Sequence, residues 1–427
     1  MQTSKMMIKD VLGNQDATKR MVHECLERIG QRESVVKAWA WIDKQQVLDQ
    51  LDQQLKNSPS APLAGIPVGI KDIIDTAEMP TQYGSAAFKG YQPIKNAIII
   101  DWLLQCGAVI MGKTVTTEFA YTHAGPTTNP IRTTHSPGGS SSGSAAAVAD
   151  NMVPVAIGTQ TGGSVLRPSS YCGIYALKPT FGLLPMDGVM PFAHSLDTFG
   201  IHARHIEDIE TVLRALVTAA GKKLNPDQTS ENGKSKVKLA WFPGYEASLA
   251  SDDAHAVLKQ ARDAWSARPD VTIDDIDLSE NLLGKIGHAN HVIMMYEGSK
   301  VHQKEYHAQR DVLGRASIDM VEQGMAITEH EYQQALKLAQ NCRDEFRQKM
   351  QGFDALLTFS SPGEAPLIEE GTGSSIFNRP WTTIGSPAIT IPFGKGRSGM
   401  PIGVQLVGHH DQDVALLRLA KRLDQVV

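Results

Sequence analysis

Residues 136–168 read SPGGSSSGSAAAVADNMVPVAIGTQTGGSVLRP, two glycine- and serine-rich turns separated by an alanine-rich stretch and a short apolar run. A Gly/Ser tract alone reads most simply as a flexible loop. This tract has different neighbours: Ala145–Ala149 is a good helix former, and Val153–Ile157 has the character of a buried strand. The chain must therefore hold two special backbone turns at the ends of packed elements.

The flanking segments extend that pattern. Residues 6–56 show helical spacing with many charges and predict two or three surface helices. Pro62–Ile74 changes to a short β-branched run, which predicts a strand that carries Lys71 to its end. Ala97–Lys113 predicts a helix followed by a buried strand, and IEDIETVLRALVTA at 206–219 a further helix. Strands alternating with helices favour an α/β architecture.

Residues 221–236, GKKLNPDQTSENGKSK, form the best linker candidate. Beyond them VKLAWF predicts a strand, 252–268 an amphipathic helix, and 296–350 a charged helical region. The C-terminal part predicts three strands, in DALLTFSSP, ITIPFG and IGVQLVG, then a final helix from Asp413. No 20- to 50-residue period recurs, which argues against a solenoid.

With 427 residues and 41% hydrophobic content, the chain can bury a large core. Its net charge of −5 and the lack of any Lys/Arg cluster argue against nucleic acid or an anionic membrane as partner, leaving a small molecule. The four cysteines, Cys25, Cys106, Cys172 and Cys342, form no CxxC pair, so neither a disulfide framework nor a zinc site is expected. No signal-peptide pattern and no run of eighteen apolar residues occurs, and a reducing cytoplasm is the expected compartment. Neither a metal nor an organic cofactor is expected, since no HExxH pattern and no His/Asp/Glu cluster with metal-ligand spacing occurs.

The Thr161-Gly162-Gly163-Ser164 turn suits acyl transfer. Glycines let successive backbone N–H groups converge on one point, where they can hold an oxyanion. A serine nucleophile then needs a base, and the sequence offers fourteen histidines, among them His123, His135, His194, His409 and His410. A buried lysine with a depressed pKa is the alternative, and Lys71, behind apolar Ile66–Ile70, is placed for burial. On residue chemistry alone Lys71 is more readily a surface partner of Asp72, and Ser140, Ser141 and Ser144 compete with Ser164.

Four segments together resemble the amidase signature family: GIPVGIK-D at 65–72, GGSSSG at 138–143, GTQTGGS at 158–164 and CGIYALKP at 172–179. Ser195-Leu-Asp-Thr and the terminal PIGVQLVG extend the likeness over nearly the whole chain. The resemblance implies a Ser–cis-Ser–Lys triad of Ser164, Ser140 and Lys71, with the Gly139–Ser140 peptide cis. It implies an oxyanion hole in the backbone of Thr161–Ser164, with Ser141 and Ser142 adding hydrogen bonds around Ser140 and Lys71. The implied fold is one α/β amidase domain over 1–427, a large mixed β-sheet covered by helices on both faces. Within it, 1–60 would form N-terminal helices, 61–220 the catalytic core, 221–350 a peripheral mostly helical layer, and 351–427 the strands and helix that complete the core.

Two departures from the commonest family pattern stand near the nucleophile. Gln160 replaces a usual acidic residue, and Arg167 comes three residues after Ser164 instead of two. These features are most similar to the malonamidases, where the corresponding arginine binds a substrate carboxylate. Arg167 is accordingly the specificity candidate, against the plainer role of holding its loop by backbone hydrogen bonds. The implied reaction is hydrolysis of a small carboxylate-bearing amide of malonamate type. The rival readings are a glutaminase-type component of an amidotransferase complex and a catalytically silent scaffold. Homodimers occur in such a family, although the sequence itself exposes no interface. Two further motif matches are discounted: Gly139–Gly143 as a G-x-S-x-G elbow, because the tract is so rich in Gly and Ser, and Ser34–Lys37 as S-x-x-K, because it lies in a helical pattern.

Overall fold

Burial of β-branched runs on both faces dominates the computed structural model, which describes residues 7–223 and 236–424. Eleven strands form one mixed sheet: β1 (Trp39–Trp41), β2 (Pro67–Lys71), β3 (Val109–Thr114), β4 (Val155–Gln160), β5 (Tyr175–Lys178), β6 (Thr198–Ala203), β7 (Val237–Trp241), β8 (Val271–Asp275), β9 (Ala355–Phe359), β10 (Ala388–Lys395) and β11 (Pro401–Val407). Their spatial order is β1-β3-β2-β4-β6-β5-β10-β11-β9-β7-β8. Strand β2 runs parallel to both β3 and β4, whereas β4, β6, β5, β10, β11 and β9 pair antiparallel in succession.

Every residue of β2, β3, β4 and β6 is buried, so both faces of the sheet are covered there. The covering elements include the helices Ser142–Ala149, Ile206–Ala219 and Asp413–Asp424. The architecture is α/β, with a single sheet running through the described chain.

The N-terminal helices Gln15–Val36 and Lys44–Asn57 start at Asn14 and Asp43, whose side chains accept from the backbone N–H groups of Ala17 and Gln46. Between them lies β1, which helical spacing did not foretell. Its Trp-Ala-Trp sequence pairs with β3 at the sheet edge, so tertiary pairing overrides the local helical pattern. Within 221–350, β7 and β8 extend the same sheet beyond β9, alongside the helices Ile286–Ala308, Arg315–Ala326 and Glu329–Lys349. Of the linker candidate at 221–236, residues 224–235 lie outside the described residues.

Two parallel strands place the site. The carboxyl ends of β2 and β4 lie side by side, with Lys71 ending β2 and the Thr161–Ser164 turn following β4. The short helix Ser142–Ala149 brings Ser140 to the same end. That helix presses onto the chain around it: a Cβ on Gly143 would stand 2.2 Å from Ala38 O and 2.3 Å from Val115 N. Only glycine allows that approach.

Candidate active site

Lys71 has no exposed surface. Its Nζ lies 2.7 Å from Ser140 Oγ, 2.8 Å from Thr159 Oγ1 and 3.3 Å from Thr159 O. Burial pushes its pKa down from the ordinary lysine range to about 7, opposed by the charge of Asp197. A lysine at that value has a substantial neutral fraction at neutral pH, and its lone pair can then accept the Ser140 proton. The Gly139–Ser140 peptide is cis. Ser140 O accepts from Thr117 N, which holds the backbone of the serine in place.

The turn after β4 is pinned by its carbonyls. Thr161 O accepts from Asn290 Nδ2, Gly162 O from Thr382 Oγ1, and Gly163 O from Arg167 N. In a trans peptide the N–H points opposite to the carbonyl. These three bonds therefore turn the N–H groups of Gly162, Gly163 and Ser164 the other way, and none of the three has a protein acceptor among the described residues. Ser164 O accepts from Ser141 N at 3.2 Å, tying the two serine-bearing turns together. Ser164 is 9% exposed, and its hydroxyl has no protein hydrogen bond among the described residues. A serine hydroxyl without a protein partner thus sits beside three backbone N–H groups that have no protein acceptor among the described residues.

The Amidase family profile matches residues 20–417. The chain belongs to the amidase family. It is 30% identical to the A-subunit of the glutamyl-tRNA(Gln) amidotransferase of Methanosarcina mazei, over 87% of each chain. Among solved structures, one described as an amidase superposes with a TM-score of 0.88 at 25% identity, covering 98% of this chain and 99% of that one. The A-subunit of the Thermotoga maritima glutamyl-tRNA(Gln) amidotransferase superposes with a TM-score of 0.83 at 27% identity, covering 99% and 94%. Amide C–N hydrolysis is accordingly the chemistry of this enzyme.

The remaining side chains of this amidase site divide clearly. Ser141 Oγ bonds to the backbone of Thr159, beside Lys71, with Oγ to O at 3.2 Å. Ser142 Oγ donates instead to Val115 O, so it touches neither Ser140 nor Lys71. The reason is local: Ser142 opens the helix that packs against β3. Arg167 is buried, and its Nη2 donates to Gly139 O at 2.6 Å, the loop-holding bond; its Nε has no partner. Burial lowers its pKa to about 10, which leaves it charged at neutral pH.

Gln160 caps the Thr161–Ser164 turn. Its Oε1 accepts from the N–H groups of Val165 and Leu166, and its Nε2 donates to Thr382 Oγ1. An amide both accepts and donates, whereas a carboxylate only accepts. Asp197 accepts from Thr161 Oγ1 and from the N–H groups of Phe192 and Ala193, and burial raises its pKa to about 6.

No histidine among the described residues bonds to Ser140 or Ser164. His202 pairs with Ser169 Oγ, and burial, aided by the Lys71 charge, pushes its pKa down to about 3. The false motif matches also separate from the site. Ser34 and Lys37 lie at the end of the helix Gln15–Val36, where Lys37 takes the left-handed conformation of a C-cap. The four cysteines are free and buried, and among the described residues no helix is long and apolar enough to cross a membrane.

Thr159, Asp197, Asn290, Thr382 and Arg379, the last with its Cγ against Gly162 and its Nε donating to Ser375 Oγ, escaped the sequence reading as site residues. Thr159 and Asp197 lay within recognised segments. The other three come from distant parts of the chain, with no spacing to signal them.

Proposed function

We propose that Ser164 is the nucleophile, that Ser140 and Lys71 form its proton relay, and that the backbone N–H groups of the Thr161–Ser164 turn hold the oxyanion. The single observation carrying this reading is the 2.7 Å contact between buried Lys71 Nζ and Ser140 Oγ. Neutral Lys71 takes the Ser140 proton as Ser140 takes that of Ser164. Ser164 Oγ bonds to the amide carbonyl carbon, and the carbonyl electrons move to oxygen. The relay returns the proton to the nitrogen, the C–N bond breaks, and ammonia leaves an acyl-enzyme. Water, deprotonated by the same relay, then releases the carboxylic acid.

One reading of the substrate is a small primary amide bearing a carboxylate, of malonamate type, with charged Arg167 near the carboxylate. Supporting it is a guanidinium beside the nucleophile turn with no acidic partner among the described residues. A second reading has the names of relatives behind it: the chain as the glutaminase-type component of an amidotransferase assembly, taking the amide of glutamine. Glutamine also combines a primary amide with a carboxylate. The relatives' names favour this second reading over a stand-alone malonamate amidase.

Ammonia release by the purified chain separates them. Malonamate, malonamide, glutamine and acetamide are supplied singly, with Ser164→Ala as control. Turnover of malonamate by the chain alone supports the first reading. Glutamine turnover that appears only when the other amidotransferase components are added supports the second. Activity that survives in Ser164→Ala would overturn the assignment of the nucleophile.

A further inference from the structure

A second arginine lies against the nucleophile turn. Arg379 opens the short helix Arg379–Thr383, which holds the turn through Thr382. Arg379 Cγ lies 3.7 Å from the point where a Cβ on Gly162 would stand, and Ser375 Oγ lies 3.4 Å from it. Arg379 Nε donates to Ser375 Oγ at 3.0 Å, which fixes the plane of the guanidinium. Its two terminal nitrogens have no protein acceptor among the described residues, and no carboxylate pairs with it.

Arg167 and Arg379 are near enough for their charges to repel, and burial lowers the pKa of both. Protonation of His291 is disfavoured first by burial, then by Arg379 and His288. Asp197, the buried acid nearest the turn, is already occupied by Thr161 and two backbone donors. Two desolvated cations without carboxylate partners among the described residues, both beside one turn, make a place for an anion. Arg167 spends one nitrogen on Gly139 O, whereas Arg379 keeps both terminal nitrogens open.

We infer that Arg379 is a specificity-determining residue that binds the substrate's carboxylate beside the nucleophile turn. The inference rests on the reading of a carboxylate-bearing substrate. It adds that the planar edge of Arg379 makes the main contact, and that Arg167 chiefly holds the Gly139–Ser140 segment and adds charge.

The test compares Arg379→Gln and Arg379→Lys with wild type on malonamate and on malonamide, its neutral analogue. The expected result for Arg379→Gln is a loss of about 10- to 100-fold in kcat/KM for malonamate, carried mostly by KM. Malonamide turnover should stay within about threefold, and Arg379→Lys should recover part of the malonamate loss. Equal losses on both substrates would overturn the inference. Calorimetric binding of malonate and of L-glutamate to Ser164→Ala, with and without Arg379→Gln, reads the same contact without turnover. Weaker binding in the double variant supports it; unchanged affinity, or no binding of either anion to Ser164→Ala, overturns it. Should wild type release ammonia from no amide, the stand-alone reading fails while these binding measurements still decide the role of Arg379.

Discussion

Lys71 Nζ stands 2.7 Å from Ser140 Oγ, and no carboxylate is in hydrogen-bond contact with that nitrogen among the described residues. A carboxylate there would hold the lysine protonated; hydroxyl and carbonyl neighbours leave burial to dominate. The resulting pKa near 7 connects the position of one lysine at the end of β2 to the activation of a hydroxyl.

Asp197 raises the Lys71 pKa through its charge. Removing that charge favours neutral lysine, so Asp197→Asn should move the acid limb of the kcat/KM profile to lower pH. Rates measured between pH 5 and 9 check this. A limb moved upward, or not at all in an enzyme that still folds, counts against the coupling.

Thr382 aims the Gly163 N–H by holding Gly162 O at 2.7 Å. Loss of a whole oxyanion donor typically costs on the order of 100- to 1000-fold in kcat. Thr382→Val leaves the donor present but badly aimed, so kcat should fall by roughly 10-fold, with KM changed much less. Steady-state kinetics on any accepted amide gives the answer.

Gly143 meets backbone atoms of Ala38 and Val115. Neither can swing aside as a side chain would, so Gly143→Ala should destabilise the fold by about 3 kcal/mol or more. Thermal unfolding of purified protein, or failure to obtain soluble protein, reads this directly.

How much of this was legible in the sequence depends on the distance over which the chemistry is assembled. Lys71 ends one apolar strand and the Ser164 turn follows another, but local pattern left a surface lysine and three rival serines open; family likeness made the choice, and the two strand ends lie together where β2 pairs with β4. The cis peptide before Ser140 was available only through family likeness, and the structure contains it. Ser142 was expected to bond around the relay but donates to Val115 O, because the direction of a side chain depends on helical phase that a Gly/Ser tract does not disclose. Asn290, Arg379 and Thr382 were illegible for a stronger reason. Each reaches the nucleophile turn from more than a hundred residues away, and only the folded sheet and its covering helices bring them there.

The central claim is that buried Lys71 activates Ser164 through Ser140. Its most direct test needs no knowledge of the natural substrate: the rate at which a small fluorophosphonate labels the protein, measured from pH 5 to 9, with the labelled peptide identified by mass spectrometry. The account predicts label on Ser164, at a rate that rises with pH to about 7 and then levels off, and that is lost in Lys71→Met. Label on another serine, or a rate that stays flat across the range, would contradict it.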